Sequence, residues 1–64
     1  MSKLFYLQPL NEGQDLNYIE KHLGTIETAR KRAKAMLQPL QHILKDGTIS
    51  IEIQDEYCNT LDIL

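Results

Sequence analysis

The sequence contains little cysteine, glycine or proline, and no tryptophan or valine. Its one cysteine, Cys58, excludes an internal disulfide, so we expect a reducing, cytoplasmic setting. Three glycines and two prolines are too few for a linker or a low-complexity chain. No apolar run exceeds four residues, whereas a membrane-spanning helix needs about 20. The N-terminal apolar segment is also too short for a secretory signal, and we expect no membrane association.

The 64 residues are enough for a single domain over 1–64, and a hydrophobic content of 42% is typical of an ordered globular fold. A domain of this size buries only roughly 60% of the surface that its unfolded chain exposes. A buried catalytic pocket or a dinucleotide cleft is therefore hard to accommodate. We predict no enzymatic activity, no catalytic residues and no cofactor.

The charge is unevenly distributed, although the net charge is only −2. Residues 21–45 carry six basic residues and one acidic residue, whereas residues 46–64 carry five acidic residues and no basic one. Such a dipolar pattern either steers partners or is neutralised within the fold or within a dimer.

The first part of the chain predicts two strands that pair as a hairpin. Residues 3–8 are apolar and aromatic, as in a strand, and Pro9 is expected to end it because proline cannot donate to a ladder. Residues 11–13 have turn chemistry. Residues 16–23 fit a strand, or alternatively a helix that stops at Gly24. We favour the strand because it gives the first strand a partner.

The clearest element is a helix that begins after Gly24. Thr25 is a candidate N-cap, since its hydroxyl can accept a free backbone N–H. Glu27 falls in the first turn, where the helix dipole favours an anion. Apolar residues then recur with a period near 3.6 and form one stripe, made of Ile26, Ala29, Ala33, Met36, Leu37 and Leu40.

The segment after this helix allows two interpretations. Pro39 predicts an end or a kink at the preceding residue. The apolar stripe continues beyond it, which predicts a short extra helix over 39–45. The Asp46–Gly47 pair fits either a hairpin turn after a strand at 40–45 or a helix stop with its glycine in the left-handed region. The period of the stripe favours the helix stop.

The last part of the chain predicts two further strands. Apolar and polar residues alternate over 48–54, which is typical of an antiparallel strand with one covered face. A polar loop at 55–59 leads to a last strand at 60–64, in which Leu61 and Ile63 should point inward. The inward residues of the earlier strand are Ile49, Ile51 and Ile53. The elements make an α+β fold: an antiparallel sheet of roughly three to four strands with one main helix on one face, in ββαββ order.

Residues 23–29 are Leu-Gly-Thr-Ile-Glu-Thr-Ala, and Ala33 follows at helical spacing. This segment resembles the strand-to-helix junction of small uncharacterised ββαββ domains from bacteria and phages, in which apolar-x-Thr-apolar-Glu-x-Ala-x-x-x-Ala follows one hairpin and precedes another. The resemblance covers these residues and the order of elements, and implies a sheet with one helix across one face. The sequence departs from the pattern at Pro39 and in the longer connection at 38–47. The resemblance implies no active site.

Two constellations could carry chemistry, and both lack the spacing that chemistry needs. Cys58 as a nucleophile would need His22 or His42 as its base, but neighbouring acidic residues disfavour the thiolate. The same three residues lie 20 and 16 positions apart and match no compact zinc-ligand pair. We therefore predict no metal site and an ordinary loop cysteine.

Basic residues cluster on the outer face of the predicted helix. Arg30 and Lys34 lie one turn apart with Lys31 beside them, which makes a candidate patch for phosphate in a nucleotide or a nucleic acid. No aromatic residue is interleaved with them for base stacking. A helix on a sheet also needs a polar outer face, so a solvated or protein-binding face is the favoured interpretation.

The second face of the sheet is the other candidate binding surface. Residues 4–7 are all apolar, and side chains alternate along a strand, so two of these four must point away from the helix. Tyr6 is one candidate. Tyr18 and Leu64 are candidates beside them. An exposed apolar patch of this kind marks a dimer interface or the contact surface for a protein partner. The alternative is that the connection at 38–47 folds over it.

These observations favour a small, non-enzymatic, homodimeric inhibitor or adaptor that acts by occupying a protein partner. By analogy of size, the small anti-defence proteins of phages belong to this class. The alternative is a nucleotide-sequestering or nucleic-acid-binding module that uses the basic helix face. The candidate binding residues are Tyr6, Tyr18, Arg30, Lys31 and Lys34.

Overall fold

The computed structural model describes residues 2–44 and 47–64, and within them one helix lies on one face of a five-stranded antiparallel sheet. The elements in chain order are β1 (Lys3–Asn11), β2 (Gln14–Asp15), β3 (Glu20–Gly24), α1 (Ile26–Ile43), β4 (Ile49–Gln54) and β5 (Thr60–Ile63). β1 pairs with β4 on one side and with both β2 and β3 on the other, and β5 pairs with the far side of β4. The predicted α+β fold is confirmed, and the two-residue β2 is an additional strand.

The prediction that Pro9 ends the first strand is wrong, because β1 continues to Asn11. Pro9 lies opposite Ile51 of β4, whose N–H and C=O both bond Leu64 instead. The missing N–H of Pro9 therefore points to the other side of β1, into the interval between β2 and β3 where no ladder runs. Proline is tolerated there because it removes no strand-pairing bond.

The predicted turn and the predicted second strand are each confirmed in part. Glu12 and Gly13 both have positive φ, at 53° and 77°, and form the two-residue turn between β1 and β2. The strand expected over 16–23 begins only at Glu20. Before it, the Asp15 carboxylate accepts the N–H of Asn17, which has a φ of 58°. This local turn takes the chain out of the ladder.

The helix begins where the sequence predicts. Thr25 is the N-cap, and its hydroxyl accepts the Thr28 N–H at 3.2 Å while Thr28 Oγ1 accepts the Thr25 N–H at 2.9 Å. This reciprocal capping box satisfies two backbone donors. The predicted apolar stripe contacts the sheet, with Ala29, Ala33 and Met36 buried against Phe5, Leu7, Ile51 and Ile53.

Residues 39–43 are helical, as favoured over a strand, but they continue α1 without a break and do not form the separate short helix expected over 39–45. Pro39 is exposed, so water can satisfy the carbonyl that its missing N–H leaves without a partner. Leu37 and Leu40 pack against the core on either side of Pro39 and hold the last turns in place. Gly47 has a φ of 95° but lies three residues beyond the cap Leu44; Lys45 and Asp46 lie outside the described residues.

The facing of β4 is as predicted, whereas the facing of β5 is reversed. Ile49, Ile51 and Ile53 are buried beneath the helix. Asp62 lies opposite Ile53, and Leu64 bonds to Ile51. Both therefore share the helix side, and Leu64 packs against the core there. The predicted inward residues Leu61 and Ile63 are exposed. A strand of four residues can direct either alternate set of its side chains toward the helix, and the pairing register with β4 selects the set that contains Asp62.

The described part of the 38–47 connection does not cover the second face of the sheet. Residues 38–43 belong to α1, which packs on the side of Phe5 and Leu7. The far side of the sheet is therefore open along the described chain. None of the described helical residues forms a segment long and apolar enough to cross a membrane.

Candidate functional site

Arg30, the first residue of the predicted basic patch, lies in an ion pair. Its Nε atom donates to Asp62 Oδ2 of β5 at 2.9 Å. This hydrogen bond is the main reason that the pKa of Asp62 lies below its ordinary value. Arg30 thus connects the helix to the edge strand, which reduces its availability to an external phosphate.

Arg32 connects the helix to the opposite side of the sheet. Its Nε and one terminal nitrogen donate to the two carboxylate oxygens of Glu20, at 2.7 and 2.9 Å. This two-point bond lowers the pKa of Glu20 and raises that of Arg32. The two arginines place part of the basic segment against acidic residues of the same chain, so the charge asymmetry of the sequence is partly neutralised within the fold.

Lys31 and Lys34 remain on the exposed helix face, and the structure gives them no ion pair among residues 2–44 and 47–64. They lie three positions apart and so share one side of the helix. The predicted patch of Arg30, Lys31 and Lys34 therefore reduces to two available lysines.

The far side of the sheet, here called the open face, is formed by alternate residues of four strands. It follows from the pairing register and the alternation of side chains along a strand. Its members are Leu4, Tyr6, Gln8 and Leu10 of β1, Lys21 and Leu23 of β3, Ser50, Glu52 and Gln54 of β4, and Ile63 of β5. The predicted binding residue Tyr6 thus points away from the helix and is half-buried.

A polar network occupies the centre of the open face. The Gln54 side-chain amide donates to Gln8 Oε1 at 3.0 Å and to Glu52 Oε1 at 2.9 Å. The Thr60 hydroxyl donates to the other oxygen of Glu52. Gln54 is only 9% exposed although no described element covers it. These bonds fix the central side chains in one arrangement and give the face a preformed polar pattern.

Apolar side chains border this network. Leu4, Tyr6 and Leu10 are half-buried along β1. At the two edges of the sheet, Leu23 is 72% exposed and Ile63 is 55% exposed. The open face thus combines exposed apolar side chains with hydrogen-bonded polar groups in fixed positions, and no element of residues 2–44 and 47–64 covers it.

Tyr18, the second predicted tyrosine, lies elsewhere. It lines a shallow cleft of about 270 Å³ beside the last turns of α1, together with Glu20, Arg32, Met36, Pro39, Leu40 and Ile43 among others. The expectation that Tyr18 lies beside Tyr6 is therefore wrong: the loop at 16–19 leaves the ladder and turns Tyr18 toward the helix side. Tyr18 is 53% exposed and marks a separate, smaller apolar surface.

A second cleft, of about 680 Å³, opens at the end of the sheet near the start of α1. Its charged rim consists of Lys3, Glu27, Asp55 and Glu56, and its apolar wall includes Leu4, Phe5, Ile26, Tyr57 and Leu61. Asp55 accepts the backbone N–H groups of Asn59 and Tyr57, which lower its pKa. Sequence reasoning missed this cleft because three distant segments form it.

The residues considered for catalysis or metal binding are spread over three elements. His22 lies on β3 and shares a 2.9 Å hydrogen bond with Thr28 Oγ1. His42 lies in the last turn of α1, and Cys58 is exposed in the β4–β5 loop. Across residues 2–44 and 47–64, the structure forms no group of three histidine, cysteine, aspartate or glutamate side chains that could hold a metal ion.

Comparison of the chain with protein-family models, with curated proteins and with solved structures found no match.

Proposed function

We propose that the protein is a small, non-enzymatic, homodimeric inhibitor or adaptor that acts by occupying a protein partner, and that the open face contacts this partner. The observation that carries the proposal is the open face itself, where apolar side chains surround a hydrogen-bonded polar centre. A chain of 64 residues has little apolar surface to leave exposed without a use.

The chemistry of this surface suits a protein better than a nucleic acid. Its charged members are Lys21 and Glu52, and the amides of Gln8 and Gln54 offer hydrogen-bonding groups between them. A face with one lysine and one carboxylate does not attract a phosphate backbone. Leucine, isoleucine and tyrosine at the border supply the apolar contact area of a protein interface. An anti-defence inhibitor of phage type is one form that such a protein could take.

Phosphate binding by the helix is the second candidate. Lys31 and Lys34 are exposed on one side of α1 and make no ion pair in the described chain. They could hold a phosphate group of a nucleotide or a nucleic acid, and the affinity would then fall steeply with salt. Two lysines supply fewer contacts than the three residues that the sequence suggested, which makes this the weaker proposal.

Affinity capture from the native host separates the two candidates. The bait is wild type, Tyr6→Asp on the open face, or the Lys31→Glu/Lys34→Glu pair on the helix. We expect a protein captured by wild type and by the helix variant but lost with Tyr6→Asp. Circular dichroism confirms that each bait is folded.

The opposite pattern would reject the proposal. Capture that survives Tyr6→Asp places the partner elsewhere. Recovery of nucleotide or nucleic acid with wild type, visible in the absorbance ratio and lost with the helix variant, would favour the second candidate.

A further inference from the structure

The strand order leaves β3 at an edge, and the hydrogen-bonding pattern shows which of its backbone groups are free. Ile51 exchanges both backbone bonds with Leu64 at 2.9 Å, so its N–H and C=O point away from β1. Its neighbour Pro9 therefore directs its carbonyl to the other side of β1, where it accepts the Leu16 N–H at 3.4 Å. This fixes which residues of β1 direct their backbone N–H and C=O toward β4 and which direct them to the opposite side.

The direction of the backbone groups of each β1 residue determines the direction for its partner in β3. Every second residue of β1 before Pro9 directs its N–H and C=O toward β3, and the partners of these residues are the even-numbered residues of β3. Lys21 and Leu23 lie between those partners. Their N–H and C=O groups consequently point out from the sheet, and no described strand pairs with them.

At the other edge of the sheet, a side chain binds one of the outward backbone donors. The same alternation on β5 points the Ile63 N–H outward, but this N–H donates to Asp62 Oδ1 at 2.9 Å. The other Asp62 oxygen holds Arg30. A side chain that takes an outward N–H is one way in which proteins protect a sheet edge from pairing, and β3 has no equivalent bond among the described residues.

A second copy of the chain fits the β3 edge in one favourable two-fold register. Antiparallel pairing about His22 places Lys21 opposite Leu23 of the second copy, and both residues of each such pair have their backbone groups facing each other. Pairing about Lys21 would instead oppose two like charges. Pairing about Leu23 would place the second outward residue, Lys21, opposite Thr25, beyond the end of the strand.

We propose that two copies of this chain join through antiparallel pairing of their β3 strands to form one continuous sheet. The proposal deepens the homodimer of the proposed function and rests on it. Leu23, 72% exposed in the single chain, then lies opposite Lys21 of the second copy. The two open faces become adjacent parts of one surface.

Disulfide trapping tests the register. In a Cys58→Ser background, His22→Cys places two thiols on the two-fold axis as a directly opposed pair, with Cα atoms about 4.5 Å apart, within the range that a disulfide bridges. Ile63→Cys on the β5 edge is the matched control. We expect His22→Cys to form covalent dimer at least tenfold faster than Ile63→Cys under mild oxidation, with circular dichroism showing both variants folded. Equal rates would overturn the proposal.

A single backbone change tests the ladder without altering any side chain. The chain is short enough for chemical synthesis with an N-methyl group on the Leu23 amide, which bonds nothing within the described fold. Sedimentation equilibrium of wild type should show a mass that rises with concentration toward twice 7.4 kDa. The N-methylated chain should remain monomeric and keep its melting temperature.

The Tyr6→Asp variant separates this proposal from the partner-binding proposal. It should stay dimeric while losing the captured protein. A wild type that is monomeric at all concentrations, or an N-methylated chain that still dimerises, overturns β3 pairing and leaves partner capture to be judged on its own result. Loss of dimer with Tyr6→Asp, and not with N-methylation, would place the interface on the open face.

Discussion

At Gly24 the chain leaves β3 and enters the capping box of α1, and a side chain has no room there. A Cβ atom would collide with Thr28 Oγ1 and would lie 3.0 Å from the His22 ring. Thr28 cannot simply rotate away, since its hydroxyl accepts the Thr25 N–H. The glycine is therefore required for close approach rather than for turn geometry.

We expect Gly24→Ala to lower the free energy of unfolding by about 1–3 kcal/mol, because the added methyl displaces Thr28 from the cap. Urea denaturation measures this. Thr28→Ala alone should cost about 1 kcal/mol for the lost cap, and the double variant should cost less than the sum of the two. Strict additivity would show that the methyl strains something other than Thr28.

Glu20 gives the protein one source of acid sensitivity. Its pKa is lowered in the fold, chiefly by the hydrogen bond from Arg32. A carboxyl with a lowered pKa stabilises the fold above its unfolded pKa, and this stabilisation is lost as the pH falls through the folded pKa.

We expect Glu20→Gln to lower the free energy of unfolding at neutral pH by the small amount typical of a partly exposed pair, roughly 0.2–1 kcal/mol. The difference in stability between this variant and wild type should disappear as the pH falls below the ordinary range of carboxyl pKa values. Thermal melts across a pH series measure this, with Glu56→Gln as a control at an exposed carboxyl. A gap that persists at low pH would mean that Glu20 acts through packing and not through charge.

At the scale of elements, β4 carries the contrast between the two faces of the sheet. Ile51 is fully buried beneath the helix, whereas its neighbour Ser50 lies on the open face. Successive residues of one strand therefore differ in environment while sharing the same backbone.

We expect Ile51→Asp to unfold the domain. An unpaired charge in this core costs roughly 3–5 kcal/mol, and a chain of this length has only roughly 3–10 kcal/mol of stability. Ser50→Asp should cost less than about 1 kcal/mol because its site is not in the core. Thermal melting of the two variants measures the difference, and similar melting temperatures would mean that the two faces are assigned wrongly.

Pro39 provides a prediction at the level of the helix. It interrupts the bonding of a helix that continues on both sides of it. We expect Pro39→Ala to raise the free energy of unfolding by about 1–3 kcal/mol, because alanine restores one helical hydrogen bond and is itself a good helix former. Chemical denaturation measures this. A loss of stability would show that the proline ring contributes to the cleft near Tyr18.

The elements that the sequence predicted well are those in which one pattern repeats several times. The stripe of α1 recurs over four turns, and the isoleucines of β4 alternate three times, so the core could be predicted from periodicity. The continuation of β1 through Pro9 depends on a bond between Ile51 and Leu64, far away in the sequence. The facing of β5 depends on register in the same way, and such long-range pairing has no local signal.

At the scale of the molecule, the chain forms an elongated body of 38 × 19 × 16 Å with a helix on one face and an open sheet on the other. The existence of an uncovered face followed from counting elements, because one helix cannot cover both sides of a sheet. Which residues form that face could not be predicted in the same way, because a turn at Asp15 and Asn17 places Tyr18 on the helix side. Arg30 pairs with a residue 32 positions away and Arg32 with one 12 positions away. The sequence of the basic cluster gives no local signal for either ion pair.

Site-specific photo-crosslinking tests most directly the claim that the open face is the partner-binding surface. A photoreactive phenylalanine replaces Tyr6 on the open face, or Lys31 on the helix as the matched control, and each folded protein is irradiated in native host lysate. We expect one dominant protein adduct from position 6 that wild-type protein in excess prevents, and no such adduct from position 31. A competed adduct from position 31 with none from position 6 would contradict it.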